Sequence, residues 1–264
     1  MNTSQSKIAS SHLICHSHIE RLARLADKER RLLGFLSTEI FTTPRIAADV
    51  MRLANSKAAW RTFQRLERNG LIVQDSCRHP GGYTVKIIGI TMAGQARAAE
   101  LLGKQYVNRG YERGRVSLQT IFHREDLQAL RLSCARAGWR EWTYLDRIRV
   151  TQKSTKDSHR ADIIARHPAG QRVAIEVERT IKTTKRYRAI AARHLEAMSR
   201  GEYAHVIYTS QDKARVAAVQ RIWQALGRVV VAGRSVPMEP QLLKAVHFVV
   251  YQDLPSVELP HDQA

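Results

Sequence analysis

The 264-residue sequence predicts an α+β chain in two parts: a helical N-terminal half closed by a two-stranded hairpin, then an α/β C-terminal half built on a sheet. Three observations lead there. Apolar residues recur at helical spacing in short segments between residues 27 and 102, interrupted by a turn-rich stretch containing Pro80, Gly81 and Gly82. Residues 161–178 read as two short apolar strands around a tight turn. Positive charge runs through the whole chain, with 43 Lys and Arg against 24 Asp and Glu and a formal +19.

This length suits one large or two small domains. The field of such a chain draws polyanions, of which nucleic acid is the commonest. Both halves share the charge. Residues 1–115 carry 19 basic and 9 acidic side chains, and residues 116–264 carry 24 and 15, so neither is a basic tail on a neutral domain. No apolar run approaches the roughly 18 residues of a transmembrane helix, and the serine-rich start lacks the apolar core of a signal peptide. No membrane insertion is expected. Cys15, Cys77 and Cys134 are odd in number, far apart and without metal-ligand spacing, so they read as reduced thiols of a cytoplasmic protein.

A polar segment, residues 1–25, comes first. Leu32, Leu33, Leu36 and Ile40 then give one buried stripe to a helix over Asp27 to Phe41. Thr42 and Thr43 before Pro44 suit an N-cap and a first-turn proline, opening a short helix through Ile46, Ala47, Val50 and Met51. Asn55 or Ser56 caps a third helix, with Ala59, Phe63 and Leu66 inward and Asn69-Gly70 as its stop. Leu71–Val73 and Tyr83–Ile88 are the strands of the hairpin. Thr91 opens a closing helix carrying Ala93, Ala96, Ala99 and Leu102.

That order is the order of a winged helix-turn-helix, here over residues 26–103, whose third helix is expected in the major groove of duplex DNA. Lys57, Arg61, Gln64, Arg65 and Arg68 lie on the side of that helix away from Ala59, Phe63 and Leu66, and their chemistry suits phosphates and guanine edges. Arg78, His79 and Lys86 of the hairpin are expected on the adjacent backbone. Residues 104–116 read as a basic linker, with Tyr106 or Tyr111 available to stack on bases; an ordinary linker tyrosine is the favoured reading over a nucleophile.

In the second half, residues 117–253, His123 precedes a helix carrying Leu127, Leu130, Leu132 and Ala135 and ended by Gly138. A strand over Leu145 to Val150 and a polar loop lead to Ala161–Ala165. The chain turns through residues 167–171 and returns as Val173–Glu178. If the turn centres on Ala169, Asp162 faces Glu176. Glu176 and Glu178 then share one side of the strand, with Ile175 and Val177 on the other. Three carboxylates so placed repel one another unless a cation sits among them, and oxygen-only ligands suit Mg²⁺ or Mn²⁺. Such a site activates water or another oxygen nucleophile and stabilises charge on a phosphate. Two alternating glutamates alone are more often a solvated face. The aspartate across the hairpin, and Lys182 and Lys185 just beyond it, shift the balance toward chemistry. A helix over 189–198, a strand over 205–210, a helix over 214–226 and final strands at 229–231 and 248–251 follow, then a loose tail over 254–264.

With Asp on the second strand and Glu-x-Glu in place of Glu-x-Lys on the third, the second half resembles the PD-(D/E)xK restriction-endonuclease fold. The segments FHREDLQALRLSCARAGW, RADIIARHPAGQRVAIEVERT, KTTKRYRAIAARHLEAM and HVIYTS are similar to the replication-relaxation family, which includes the MobC-type plasmid relaxases. The resemblance covers roughly residues 26–226. It implies a winged helix before an α/β restriction-endonuclease-like domain, and a nickase acting at a plasmid transfer origin to initiate conjugative mobilisation. Double-stranded and nicked DNA are the implied substrates, and relaxosome or coupling proteins the implied partners. Asp162, Glu176 and Glu178 match the metal-binding acids, and Lys185 or Lys182 the active-site lysine. His123 matches a histidine ahead of the domain's first helix, and Glu125 is read as a solvated acid of that helix. The alternative is a non-enzymatic DNA-binding regulator of replication or transcription whose endonuclease-like domain is inactive.

Overall fold

A computed structural model describes residues 18–104, 109–145 and 161–260. The chain is mixed α and β and divides into two compact units between Glu125 and Asp126. No described helix is long and apolar enough to cross a membrane. Cys77 and Cys134 are free thiols, and Cys15 lies outside the described residues.

The first unit runs α1 (His18–Glu39), β1 (Phe41–Thr42), α2 (Pro44–Val50), α3 (Ser56–Arg68), β2 (Ile72–Arg78), β3 (Thr84–Ile90) and α4 (Met92–Leu102). Leu32, Leu33 and Leu36 of α1 meet Ala47, Phe63, Leu66, Ile72 and Ile88 in one core, so a single apolar stripe per helix suffices. Asn55 accepts a bond from the Ala58 amide at 3.0 Å and starts α3; Thr91 does the same for α4 through Gly94 at 2.9 Å. Glu29, buried on α1, takes Arg65 of α3 at 2.8 Å and Arg97 of α4 at 3.2 Å, tying three helices together.

Several expectations change here. Helix α1 begins at His18, inside the segment read as polar lead-in. The two-residue strand β1 had no signal of its own; it pairs with β3 through Phe41↔Gly89 and Thr42↔Ile88. Thr43 stands at the N-cap of α2 but makes no side-chain cap bond, its hydroxyl donating instead to Glu125 at 2.8 Å. Arg45 bonds the same carboxylate at 2.9 Å, so Glu125 is engaged within this unit and is no solvated acid.

The linker reading also needs correction at Tyr111. Its amide donates to the Ile90 carbonyl at 2.6 Å, its phenol to Asp75 at 2.8 Å, and its ring lies on Gly89. Burial and the Asp75 carboxylate push the phenol's pKa above its ordinary value. Tyr111 is therefore a packing residue with its polar end satisfied, unavailable for stacking on bases. Tyr106 lies outside the described residues.

In the second unit the order is the latter part of α5 (Leu118–Arg136), β4 (Arg140–Tyr144), β5 (Ile163–Arg166), β6 (Arg172–Val177), α6 (Thr184–Ser199), β7 (His205–Ser210) and α7 (Lys213–Gln224). Then come β8 (Arg228–Val231), β9 (Arg234–Pro237), α8 (Pro240–Lys244) and β10 (Val246–Val250). The Ser117 hydroxyl accepts from the Thr120 amide at 3.2 Å, so α5 starts well before His123, which is interior to the helix instead of ahead of it. The aromatic run Trp142 to Tyr144 lies within strand β4, earlier than the strand read at 145–150; residues 146–150 are outside the described set.

The main sheet has the order β10-β7-β6-β5-β4. Strands β6, β7 and β10 run parallel, while β4 and β5 are antiparallel to their neighbours. Ile163↔Ile175 and Arg166↔Arg172 centre the β5–β6 turn on Ala169, and the next step of that register sets Asp162 opposite Glu176. Period-2 alternation splits the sheet's side chains. Ile164, Ala174, Val206 and Tyr208 pack with α6 and α7 on one face; Ile163, Val173, Ile175, Val177 and Ile207 pack with Leu127, Leu130 and Cys134 of α5 on the other. Strands β8 and β9 form a separate hairpin, so Val229–Val231 does not extend the main sheet.

The tail is not loose through residue 260. Leu254 in a 3₁₀ turn (Leu254–Ser256) is fully buried and Leu259 nearly so. Trp139 Nε1 donates to the Pro255 carbonyl, His167 bonds the Val257 carbonyl at 2.9 Å, and Gln171 donates to that of Pro260.

Two stability predictions follow from this packing. A Cβ at residue 89 would stand 2.3 Å from the Tyr111 ring. Gly89→Ala should cost about 1–3 kcal/mol by overpacking, whereas Tyr111→Leu with Gly89→Ala should recover part of it; denaturant unfolding reads both. At the end of β7 away from Ser210, His247 Nε2 lies 3.2 Å from His205 Nδ1. Burial, then the His205 charge, lower the His247 pKa from 6.5 to about 4. The folded state thus binds this proton less readily than the unfolded chain, so its stability contribution is complete above pH 6.5 and is lost as pH falls toward about 4. His247→Gln should flatten that slope, and identical pH–stability profiles for the two proteins would refute the assignment.

Candidate functional site

Strand β6 ends with its carboxylates at the C-terminal edge of the parallel strands, where open α/β sheets place their clefts. A cleft of about 340 Å³ opens there, lined by Asp126, Glu178, Arg179, Ser210, Gln211, Asp212, Arg215 and Tyr251. All eight belong to the second unit.

Asp162 Oδ2 accepts from the Val177 amide at 2.8 Å, which locks the start of β5 to the end of β6. Glu178, 3% exposed, receives Lys182 Nζ at 2.5 Å on both carboxylate oxygens. Burial raises the Glu178 pKa above its ordinary value, Lys182 pulls it back, and the negative charges of Glu176 and Asp162 push it up again. Glu178 and Asp162 therefore lie within electrostatic reach of each other. Glu176 shares their side of the strand but turns into the layer under α6, its Oε1 3.3 Å from His194 Nε2, with both side chains almost wholly buried. His194 Nδ1 in turn bonds the Tyr203 hydroxyl at 2.8 Å.

Of the two lysines, Lys182 is the one the fold brings to the acids. It also lies over the Tyr187 ring, 5.7 Å from its centroid, and burial with the Glu178 charge raises the Tyr187 pKa. Lys185 is exposed in the first turn of α6, which Thr183 caps by accepting the Arg186 amide at 3.3 Å.

Of the eight cleft residues only Glu178 was singled out from the sequence; Asp126, Arg179, Ser210, Gln211, Asp212, Arg215 and Tyr251 were not. Asp126, one residue beyond the Glu125 considered there, is 5% exposed and pairs with Arg179, while Gln211 donates to it at 3.1 Å. Burial and then the Asp126 charge raise the Tyr251 pKa. An available signal was an aspartate directly beside the inward stripe Leu127, Leu130 and Cys134. Arg215 donates to Ser210 at 3.0 Å across the cleft floor.

Among the described residues no three His, Cys, Asp or Glu side chains form a ready metal cage. The donors nevertheless fit Mg²⁺ or Mn²⁺ in kind. Magnesium is commonly held by one or two carboxylates together with water and substrate phosphate; Asp162 and Glu178 are the residues that would hold it, with Lys182 giving up one Glu178 oxygen.

On the first unit, Lys57, Arg61, Gln64 and Arg68 are exposed along one side of α3. Arg65 is not among them, because Glu29 draws it against α1. Lys86 of β3 is exposed and stands over the ring of Trp60, 5.6 Å from its centroid. Arg78 is exposed at the end of β2, where it pairs with Thr84 two residues from Lys86, on the same face of the hairpin.

Removing Lys182 alone leaves a buried carboxylate without its cation. Lys182→Met should cost about 1–3 kcal/mol at neutral pH, and Glu178→Gln in the same chain should return most of it. Because the Glu178 pKa is raised on folding, its favourable contribution belongs to acid pH and is lost as pH rises through the folded value. The Lys182→Met deficit should therefore shrink on acidification. A double-mutant cycle in urea at two pH values measures both effects, and zero coupling would contradict the pairing.

Comparison with protein-family models, curated proteins and solved structures finds no match to this chain.

Proposed function

We propose that the chain binds DNA through its first unit and nicks one strand with a divalent metal held by its second, as a member of the replication-relaxation family acting at a plasmid transfer origin. On this reading α1 to α4 with the β2–β3 hairpin form a winged helix, and the sheet of the second unit is restriction-endonuclease-like. The observation that carries it is the buried Glu178–Lys182 pair at the edge of an open cleft, with Asp162, fastened to the adjacent Val177 amide, within electrostatic reach of Glu178. Buried like charges are costly, and their placement at a cleft mouth is how sites for cations and phosphate chemistry are built. The basic face of α3 and a net +19 support the DNA partner.

Mg²⁺ or Mn²⁺ bound to Asp162 and Glu178 would supply Lewis acidity to a phosphate oxygen and to the attacking oxygen. The chain's own groups do the rest. Lys182 neutralises Glu178 before substrate arrives, and its ammonium then stands beside the phosphate. Arg179 and Arg215 flank the cleft, and Ser210 and Gln211 offer neutral donors to a sugar-phosphate backbone. Glu176, held by His194, supports the edge of β6 from beneath.

A second reading, DNA binding without cleavage, is favoured by the same pairings: Glu176 occupied by His194 and Glu178 by Lys182 leave no three-carboxylate cage. Supercoiled plasmid carrying the cognate origin separates the two. Nicking that requires Mg²⁺ or Mn²⁺, falls at least about 100-fold in Glu178→Ala or Asp162→Asn, and leaves duplex binding intact supports the enzyme. Retained nicking in both variants sinks the assignment of the site, and binding with no cleavage under either metal selects the second reading.

A further inference from the structure

Trp60 is 44% exposed on α3, whereas Trp139 and Trp223 are buried in the second unit. Its position on the helix is specific. It lies three residues from Lys57 and four from Gln64, so it shares the exposed stripe of Lys57, Arg61, Gln64 and Arg68. It marks the border of that stripe toward the hairpin, where the Lys86 ammonium rests over its ring. Arg78, Thr84 and Lys86 continue the exposed polar face along the hairpin. A large flat aromatic is thus set inside a field of five cations, three from α3 and two from the hairpin.

A scattered apolar side chain at the surface needs no explanation, but this one is poorly suited to what surrounds it if the partner is fully paired DNA. Base edges in the major groove are read by forked donors and acceptors such as Arg, Asn and Gln. Indole has one donor and no acceptor, so it reads edges badly. Its face, by contrast, stacks on any nucleobase that has left its pair, and cations beside it hold the backbone that the base hangs from. We infer that the Trp60–Lys86 pair is a stacking platform for an unpaired base, making the preferred partner of this surface DNA with a single-stranded segment next to a duplex. The inference rests on the DNA-binding reading proposed above, and it adds the substrate's strandedness, which that reading leaves open.

The full chain is tested with three oligonucleotides of the same sequence composition: a closed duplex, a duplex with an unpaired tail, and a single strand. Binding is followed by anisotropy of the labelled DNA and by tryptophan emission. The tailed duplex should bind most tightly and quench emission, and Trp60→Phe should abolish that quench while keeping most of the affinity. Trp60→Ala should weaken the tailed duplex about tenfold and the closed duplex less than about threefold. Lys57→Ala and Arg61→Ala should weaken all three alike and lower the salt dependence. Equal losses on tailed and closed duplex, or quenching that survives in Trp60→Phe, overturn the stacking platform and leave DNA binding standing. Failure to bind any of the three overturns the DNA-binding reading itself.

Discussion

Two glutamate side chains, Glu176 and Glu178, are buried at the end of one strand, and burial disfavours a carboxylate's charge unless a partner meets it. The second unit is arranged around supplying those partners. Helix α6 sets His194 under Glu176, and Tyr203 fixes the far side of that ring. The segment before α6 returns Lys182 to Glu178 across a non-helical bend. Asp162 adds a third acid, but its carboxylate is fastened to the Val177 amide, so the chain's own backbone satisfies part of its demand. Each acid thus has a different neighbour: an imidazole, an ammonium and a peptide N–H. That difference separates Glu176, turned under α6, from Glu178 at the cleft.

Much of this was legible from residue spacing because it depends on short-range geometry. A tight turn at His167 to Gln171 fixes the β5–β6 register, and from the register follows which residue faces Glu176. Caps at Asn55 and Thr91 announce their helices for the same local reason. What spacing cannot reveal is how a side chain resolves two competing partners. Arg65 belongs by count to the outer edge of α3, yet Glu29, thirty-six residues earlier, claims it. Thr43 belongs by position to a cap, yet Glu125 takes its hydroxyl. Lys182 and Lys185 look equivalent in the sequence, and only the path of the chain between β6 and α6 decides which one arrives. Tyr111 illustrates the same limit: its neighbours are Gly110 and Glu112, and its use is set by the missing side chain of Gly89 on a distant strand.

The two units carry their polar chemistry in opposite styles. In the first, Lys57, Arg61, Arg68, Arg78 and Lys86 stand exposed on α3 and the hairpin. In the second, opposite charges are interleaved around one cleft: Asp126 with Arg179, Asp212 with Arg215, Glu178 with Lys182. A balanced cleft of that kind holds little net field while closed on itself, and an incoming phosphate or cation gains by displacing one half of a pair. Selectivity then comes from the exchange of partners more than from a standing potential.

The chain beyond β10 bears on how sequence change is tolerated. Its hold on the second unit uses the carbonyl oxygens of Pro255, Val257 and Pro260, each taken by a side chain from the β4–β6 region. A carbonyl is common to all twenty residues, so these three contacts constrain the path of the segment and are indifferent to what it is made of. The demand for particular side chains falls instead on the other side of each bond, on Trp139, His167 and Gln171, and on the two leucines, Leu254 and Leu259, that enter the core. Substitution is therefore expected to be asymmetric: freer along much of the strap, and narrow in the residues that grip it.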